Sequence, residues 1–410
     1  MSSARSIADK PELRPDLLAS PSESRGGRGM KITHIIPALT KGGAERVLIE
    51  LANRFAAAGD QVTVVTAFPV DPVFGRDALH SQIEIVHISP TGRPRLRRYV
   101  ALLPWLWRNR RWILDQDIVH CHLTFASVAG TAIKWLARLV GRGPCVVETF
   151  HAVGMPIPRS TRSLFRFLAA GRDGCAFMAE DKYWRAFIDS HPKLPTAIIP
   201  NGISVPHSLP DDTERRCARE AFDIPAEARW VVGTIGRIVQ ERNPMAIVAV
   251  FAGIAHRLGS SVHFVMGGAG PMLEDIRAEA CRLDLGDRLH LPGLIRRPAD
   301  LLAAMDLYVS VNVGPITGIA GLEAAASGVP VIALQALASH ESGPTDWIWS
   351  DPQPERIAER GAELLLASDE RSLLAERQRR HVRDHHSSDA MAAAYGELYA
   401  AARARGFRPA

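Results

Sequence analysis

Short β-branched runs alternate with longer helical stretches along most of this chain, and that alternation limits the possible folds more than any other feature. MKITHIIP, QVTVVTA, IEIVHI, DIVHCH, CVVETFH and TAIIPNG read as strands in the first half. WVVGTIGR, SVHFVMGG, RLHLPG, DLYVSV and VPVIAL do so in the second. Runs that are apolar on both faces need cover on both, which parallel sheets obtain from the helices connecting their strands. Two such series predict an α/β chain of two doubly wound domains. A length of 410 residues with 47% hydrophobic residues also exceeds what one core supports. Pro, Ser and charged residues collect in SVPHSLPDDTERR, Ser204 to Arg216, where the boundary is expected. The expected division is a disordered leader over 1–29, an N-terminal domain over 30–205, a second domain over 206–385 and a closing helix over 386–410. The leader is rich in Ser, Arg, Gly and Pro without periodicity, and reads equally as sequence upstream of a start at Met30. In AMAAAYGELYAAARARG, Met391, Tyr395 and Leu398 share one helix face.

Composition removes several classes. The five cysteines are scattered and form no CxxC pair, so neither a disulfide framework nor a zinc site is expected and a reducing compartment fits. No apolar run approaches the roughly 18 residues that span a bilayer. A net charge of +5 and a pI near 9.1 favour anionic ligands or surfaces.

In open α/β sheets, ligands bind beyond the carboxyl ends of the strands. There Gly42 and Gly43 precede a helix whose apolar face runs through Val47, Leu48, Leu51, Ala52 and Phe55. Glycines let backbone approach a ligand, and a helix N-terminus offers free N–H groups to an anion; a plain tight turn has the same appearance. WVVGTIGRIVQERNP places Arg237 directly after a strand and Arg242 five residues on, a pair suited to clamping a diphosphate. Gly267, Gly268 and Gly270 form a further strand-to-helix loop that either faces a nucleotide or turns the chain. Glu323 is the only charge in VGPITGIAGLEAAASGVPVI, and its small neighbours allow close backbone packing against a ligand. His120, His122 and His151 fall at strand ends. His120 and His122 share a sheet face, but no third ligand is evident, so no metal is expected. His385 and His386, in RDHHSSD, are expected to be solvated.

The stretches GGAERVLIELANRFAAAGDQVTVVT, DIVHCH, the histidine of ETFHAVG, IIPNGI, GRIVQER, GGAGPMLEDIRAEA, LHLPG and GLEAAASGVPVIA occur in one order. In that order the chain resembles the family 4 glycosyltransferases of the GT-B fold, from Met30 to about Tyr399. The resemblance implies two Rossmann-like domains facing across a cleft, the C-terminal helix crossing back to the first. It implies that Arg237 and Arg242 hold the donor diphosphate, Arg242 standing where Lys is usual. Gly43, beside Gly42, would approach the donor phosphates, with Gly268 in the donor set. His151 would reach the donor sugar near the reacting centre. Glu323 would be the second Glu of the family's E-x7-E motif and hold ribose hydroxyls. Leu294 and Ile295 fall where the family's backbone contacts the base. One departure stands out: Pro315 occupies the place of the motif's first Glu, which normally binds the transferred sugar. The Ile316 or Thr317 N–H, or the Thr317 hydroxyl, is expected to compensate.

The implied activity is transfer of a sugar from a nucleotide-sugar co-substrate, with retention of configuration and with the departing phosphate as base. Its catalytic groups would be His151, Arg237 and Arg242, and no metal or other cofactor is expected. Arginines and helix N-termini would stabilise the leaving diphosphate. Thr91 to Asp117 mixes Arg93, Arg95, Arg97, Arg98, Arg108, Arg110 and Arg111 with Trp105, Trp107 and Trp112. That composition suits peripheral contact with an anionic membrane, or an ordinary surface helix. The expected partner is a glycan or lipid-linked acceptor in bacterial exopolysaccharide or lipopolysaccharide synthesis, a lipid-linked glycan where the membrane contact holds. The expected location is cytoplasmic, at the inner face of the plasma membrane in that case. No nucleic-acid partner is expected. The alternatives are a catalytically impaired nucleotide-sugar-binding relative and an epimerase or phosphorylase of this architecture. A dinucleotide oxidoreductase fits worst, since no GxGxxG follows either first strand.

Overall fold

The computed structural model describes residues 29–40, 42–68, 70, 75–89, 97–151, 171–179, 182–312, 317–335 and 347–405. The first lobe contains β1 (Lys31–Ile36), β2 (Gln61–Thr66), β3 (Glu84–His87), β4 (Ile118–His122), β5 (Cys145–Phe150), β6 (Gly174–Phe177) and β7 (Thr196–Ile198). All are parallel, in the order β3-β2-β1-β4-β5-β6-β7. The second lobe contains β8 (Trp230–Ile235), β9 (Val262–Gly267), β10 (Leu289–Gly293), β11 (Leu307–Asn312), β12 (Val331–Gln335) and β13 (Ser350–Asp351). Their order is β10-β9-β8-β11-β12-β13.

The helices are α1 (Gly43–Ala57), α2 (Arg97–Leu114), α3 (Leu123–Val140), α4 (Lys182–Ser190), α5 (Asp212–Ala221) and α6 (Pro244–Leu258). They continue as α7 (Leu273–Arg282), α8 (Pro298–Leu302), α9 (Ile319–Ala326), α10 (Pro354–Leu366), α11 (Ser368–His385) and α12 (Ser388–Ala404). The two doubly wound sheets expected from the alternation are present. Two strands lacked a signal: GCAF of β6, whose first three residues are too small to read as a strand, and the two-residue β13.

Each sheet is covered on both faces, which is why β1, β2 and β4 are apolar without alternation. On one face of the first sheet, Leu48, Leu51 and Phe55 of α1 pack with Tyr395, Leu398 and Tyr399 of α12. Burying side chains of this size stabilises the fold by about 1.5–3 kcal/mol each. The predicted face of α12, Met391, Tyr395 and Leu398, is therefore what carries the chain back across to the first lobe. The opposite face is closed by Leu102, Trp105 and Leu106 of α2 and Phe125, Ala129 and Ile133 of α3. Among the described residues α3 is long and apolar enough in composition to cross a membrane. That length includes Ser127, Thr131 and Lys134, which are buried with its apolar face. It is a core helix of the sheet.

The return from α11 to α12 corrects one expectation. His386 is part-buried rather than solvated: it sits where Ile203 and Ser387 form an isolated bridge, and its Nδ1 lies 3.0 Å from the Asn201 carbonyl. Burial lowers its pKa.

Strand order reverses between β1 and β4 in the first lobe, and between β8 and β11 in the second. Loops at such switch points open into a crevice. The loops after β1, β8 and β11 carry Gly42 and Gly43, Arg237, and the approach to Glu323.

Candidate active site

Gly42 is the N-cap of α1 in extended backbone and Gly318 is the N-cap of α9; neither has a side chain with which to cap. Both helices therefore begin with N–H groups that their N-caps leave unsatisfied, and each end carries partial positive charge. Both open into one cleft of about 610 Å³ between the lobes. Gly42, Gly43, Glu45 and Arg46 line it from the first lobe; Arg237, Arg242, Ile295, Arg296, Tyr308 and Glu323 line it from the second. A Cβ on Gly43 would stand 4.0 Å from Ile319, so the lobes meet there at van der Waals distance. Four arginines face two carboxylates in this lining, a surplus of two positive charges suited to a diphosphate. Glu45 folds over Gly42 and accepts the Thr40 hydroxyl at 3.3 Å, placing a carboxylate at the α1 end. Burial raises its pKa, opposed by its own backbone N–H, Thr40 and nearby Arg237.

Arg237 and Arg242 are exposed on the cleft wall and have no hydrogen-bonded carboxylate partner among the described residues. The Arg242 guanidinium reaches the α9 end, its Nη1 lying 3.7 Å from where a Gly318 Cβ would sit. Their loop is held from behind. Gly236 N–H donates to Gly267 O at 2.9 Å and Ile238 N–H to Ala269 O at 3.0 Å. Gly268 has φ +150°, and a Cβ on it would fall 1.8 Å from Gly236 O. Gly268 is thus a backing residue of the arginine loop and does not line the cleft. Asn243 ends that loop at φ +43°, an uncommon conformation for a non-glycine residue.

Glu323 lies on the cleft wall with Oε1 3.4 Å from Arg46 Nη2. Arg46 also lies 3.2 Å from Glu50 Oε1, and Glu50 accepts the Ser204 hydroxyl at 2.7 Å. Burial pushes the Glu323 pKa up to about 6, with Arg46 opposing and Glu50 adding to the shift. Nothing in the sequence pointed to Arg46: at i, i+4 from Glu50 it resembles an ordinary surface helix pair.

The other predicted positions are distributed differently. Ile295 lines the cleft, whereas Leu294 turns its side chain to solvent. Thr317 is buried just before α9, and its hydroxyl has no partner among the described residues. Pro315 and Ile316 lie outside the described residues. Tyr308, not anticipated, accepts the Ile235 N–H at 3.1 Å and donates to the Ile235 carbonyl at 3.0 Å.

His151 does not line the cleft; it lies beyond β5 in a cluster of histidines. His34 of β1 pairs in register with His120 of β4, which supplies the third histidine that the sequence reading lacked. His34, His120 and His122 offer ring nitrogens all within 4.8 Å of one another. Both His120 nitrogens are engaged, Nδ1 with Tyr399 Oη and Nε2 with Thr149 Oγ1, each at 2.7 Å. His34 Nδ1 lies 3.2 Å from His122 Nε2, and His122 Nδ1 lies 3.0 Å from His151 Nε2. His34, His122 and His151 thus form a hydrogen-bonded chain, with His120 beside it.

Residues 41–205 match the family model Glycosyltransferase Family 4, and residues 229–367 match Glycosyl transferases group 1. The chain is 27% identical over 278 residues to the GDP-mannose-dependent alpha-(1-6)-phosphatidylinositol monomannoside mannosyltransferase of Mycobacterium tuberculosis, covering 64% of this chain and 70% of that one. It is also 27% identical over 233 residues to the alpha-monoglucosyldiacylglycerol synthase of Streptococcus pneumoniae, covering 53% and 51%. The crystal structure of Anabaena HepE in complex with UDP and glucose superposes with a TM-score of 0.73 over 90% of this chain and 99% of that one. At 17% identity, that likeness speaks to the fold. The chain belongs to the family 4 glycosyltransferases of the GT-B fold and is a sugar-transferring enzyme.

Proposed function

We propose that this enzyme transfers a sugar, with retention of configuration, from a nucleotide sugar to a glycan or lipid-linked acceptor. The observation that carries this reading is the convergence of two helix N-termini, Arg237, Arg242 and Glu323 on one cleft. In glycosyl transfer, positive charge develops on the sugar ring and negative charge on the leaving diphosphate. Arg237, Arg242 and the free N–H groups of α1 and α9 stabilise the leaving charge, and groups fixed in advance lose little to reorganisation. Glu323 accepts the ribose hydroxyls, exchanging its contact with Arg46 for them. His151, which stands outside the cleft lining at the end of β5, contacts the transferred sugar only where that sugar extends from the cleft toward β5. The departing phosphate takes the proton of the incoming hydroxyl.

The named activities of those two relatives, on phosphatidylinositol monomannoside and in making a glucosyldiacylglycerol, support a lipid acceptor. The setting proposed for it is bacterial exopolysaccharide or lipopolysaccharide assembly. The surface of the first lobe supports the same reading. Val100, Leu103 and Trp107 of α2 and Trp135 and Leu139 of α3 are exposed apolar residues on packed neighbouring helices. Arg108 and Arg111 are exposed beside them, and the Arg110 guanidinium lies 4.4 Å from the Trp107 ring centre. Arg93 and Arg95 lie outside the described residues. Apolar side chains among arginines suit the cytoplasmic face of an anionic membrane. Leu102, Trp105 and Leu106 belong instead to the core.

Thermal melting against UDP-, GDP- and dTDP-sugars tests the donor. One nucleotide class should raise the midpoint by mass action, and an unchanged midpoint with all three would contradict the proposal. Flotation with anionic liposomes at low salt tests the surface: the chain should float, and Trp107→Ala should weaken it.

A further inference from the structure

His34, His122 and His151 are linked ring to ring, and the two ends of that chain are open. Burial lowers all three pKa values, His34 to about 3 and His151 to about 4, so the rings are neutral. Three neutral rings carry three N–H groups, and the two inter-ring bonds use two of them. The third must stand at one end, either His34 Nε2 or His151 Nδ1. Both atoms are buried without a partner among the described residues.

The two ends are not equivalent. His34 is fully buried in the middle of β1. An N–H there would be permanently orphaned, and buried orphan N–H groups are rarer than under-satisfied acceptors. His151 lies just past β5, on the sheet edge where ligands of doubly wound folds arrive. We propose that His34 and His122 are positioning residues that hold His151 in its Nδ1–H tautomer, so that it offers a hydrogen-bond donor to the sugar being transferred. This deepens the role given to His151 above and rests on it. In this arrangement His34 Nδ1–H donates to His122 Nε2 and His122 Nδ1–H donates to His151 Nε2. His151 Nδ1–H is then left for the ligand.

The local backbone fits the same assignment. Leu123 has φ +69°, which a bulky residue rarely adopts. It turns β4 into α3 directly after His122, so that His122 ends its strand with no intervening loop. His120 stands apart from the chain, since hydroxyls occupy both of its nitrogens.

Long-range 1H–15N correlation on the intact, histidine-labelled protein reads each tautomer directly and needs no substrate. The expected result is Nδ1–H for all three rings. An Nε2–H tautomer at His151 would overturn the proposal, as would zinc bound to the purified chain and lost in His34→Phe. In His34→Phe the tautomers of His151 should mix and kcat should fall roughly tenfold, the low end of what loss of the residue orienting a metal-bound histidine costs. KM for the nucleotide sugar should change little. Full activity in His151→Ala would refute the role of His151 in transfer, yet would leave the tautomer result standing, so the two failures are distinguishable.

Discussion

Arg46 Nη2 on α1 lies 3.4 Å from Glu323 Oε1 on α9, so one ion pair ties the two lobes together across the cleft. Arg46→Gln would leave Glu323 buried near Glu50 without that cation. The Glu323 pKa is already raised, so its buried charge costs stability as pH climbs through about 6 and costs nothing once the group is protonated. The melting temperature of Arg46→Gln should therefore fall further below wild type at pH 8 than at pH 5. An equal difference at both values would exclude this coupling.

Glu323 is expected to bind ribose as a carboxylate. Donor affinity in the wild type should rise as pH increases from 5 to 7, following ionisation near 6. Glu323→Gln should lose about 1.5–3 kcal/mol of donor binding, the usual worth of hydrogen bonds to a charged group. It should also flatten the pH dependence. Titration calorimetry at three pH values checks both, and a variant with wild-type affinity would remove Glu323 from the site.

Gly268 should tolerate no side chain. Gly268→Ala forces a Cβ to 1.8 Å from Gly236 O and must displace the loop that carries Arg237. A loss of about 2–4 kcal/mol in stability is expected, together with weakened donor binding. Gly59→Ala is the control: it has φ +89° and open space around the new Cβ. It should cost about 1 kcal/mol and leave binding intact. Denaturant melts with donor titrations separate the two, and identical behaviour would mean that the loop does not depend on Gly268.

Tyr399→Phe removes the hydroxyl 2.7 Å from His120 Nδ1 and leaves a buried ring nitrogen unsatisfied. About 1–3 kcal/mol of stability should be lost, because α12 would be held less firmly on the first sheet. Donor binding should be unaffected, since Tyr399 lies away from the cleft. A change in donor affinity equal to that of Glu323→Gln would show that the helix contact and the cleft are coupled.

Much of this molecule is legible in its sequence because periodicity reports burial. Strands such as KITHII and QVTVVT are buried through nearly their whole length, and their apolar runs say so. β6 is silent because GCAF gains its strand conformation from β5 and β7 rather than from its own side chains. The cleft loops were legible through glycine and arginine at strand ends, but contacts between lobes leave no local signature. Arg46 meets a residue 277 positions away, and its local spacing advertises only Glu50. His34 was hidden in the middle of a strand, where only sheet register brings it to His120. His386 looked solvated because its neighbours are polar, while its burial comes from the chain crossing back between lobes.

The most direct test of the diphosphate clamp is calorimetric titration of UDP and GDP into the wild type and into the Arg237→Ala, Arg242→Ala double variant. At least one nucleotide should bind the wild type, and the double variant should bind it about 100-fold more weakly, as expected for lost charge-assisted contacts, with an unchanged circular dichroism spectrum. Equal affinity in the two proteins would contradict the account.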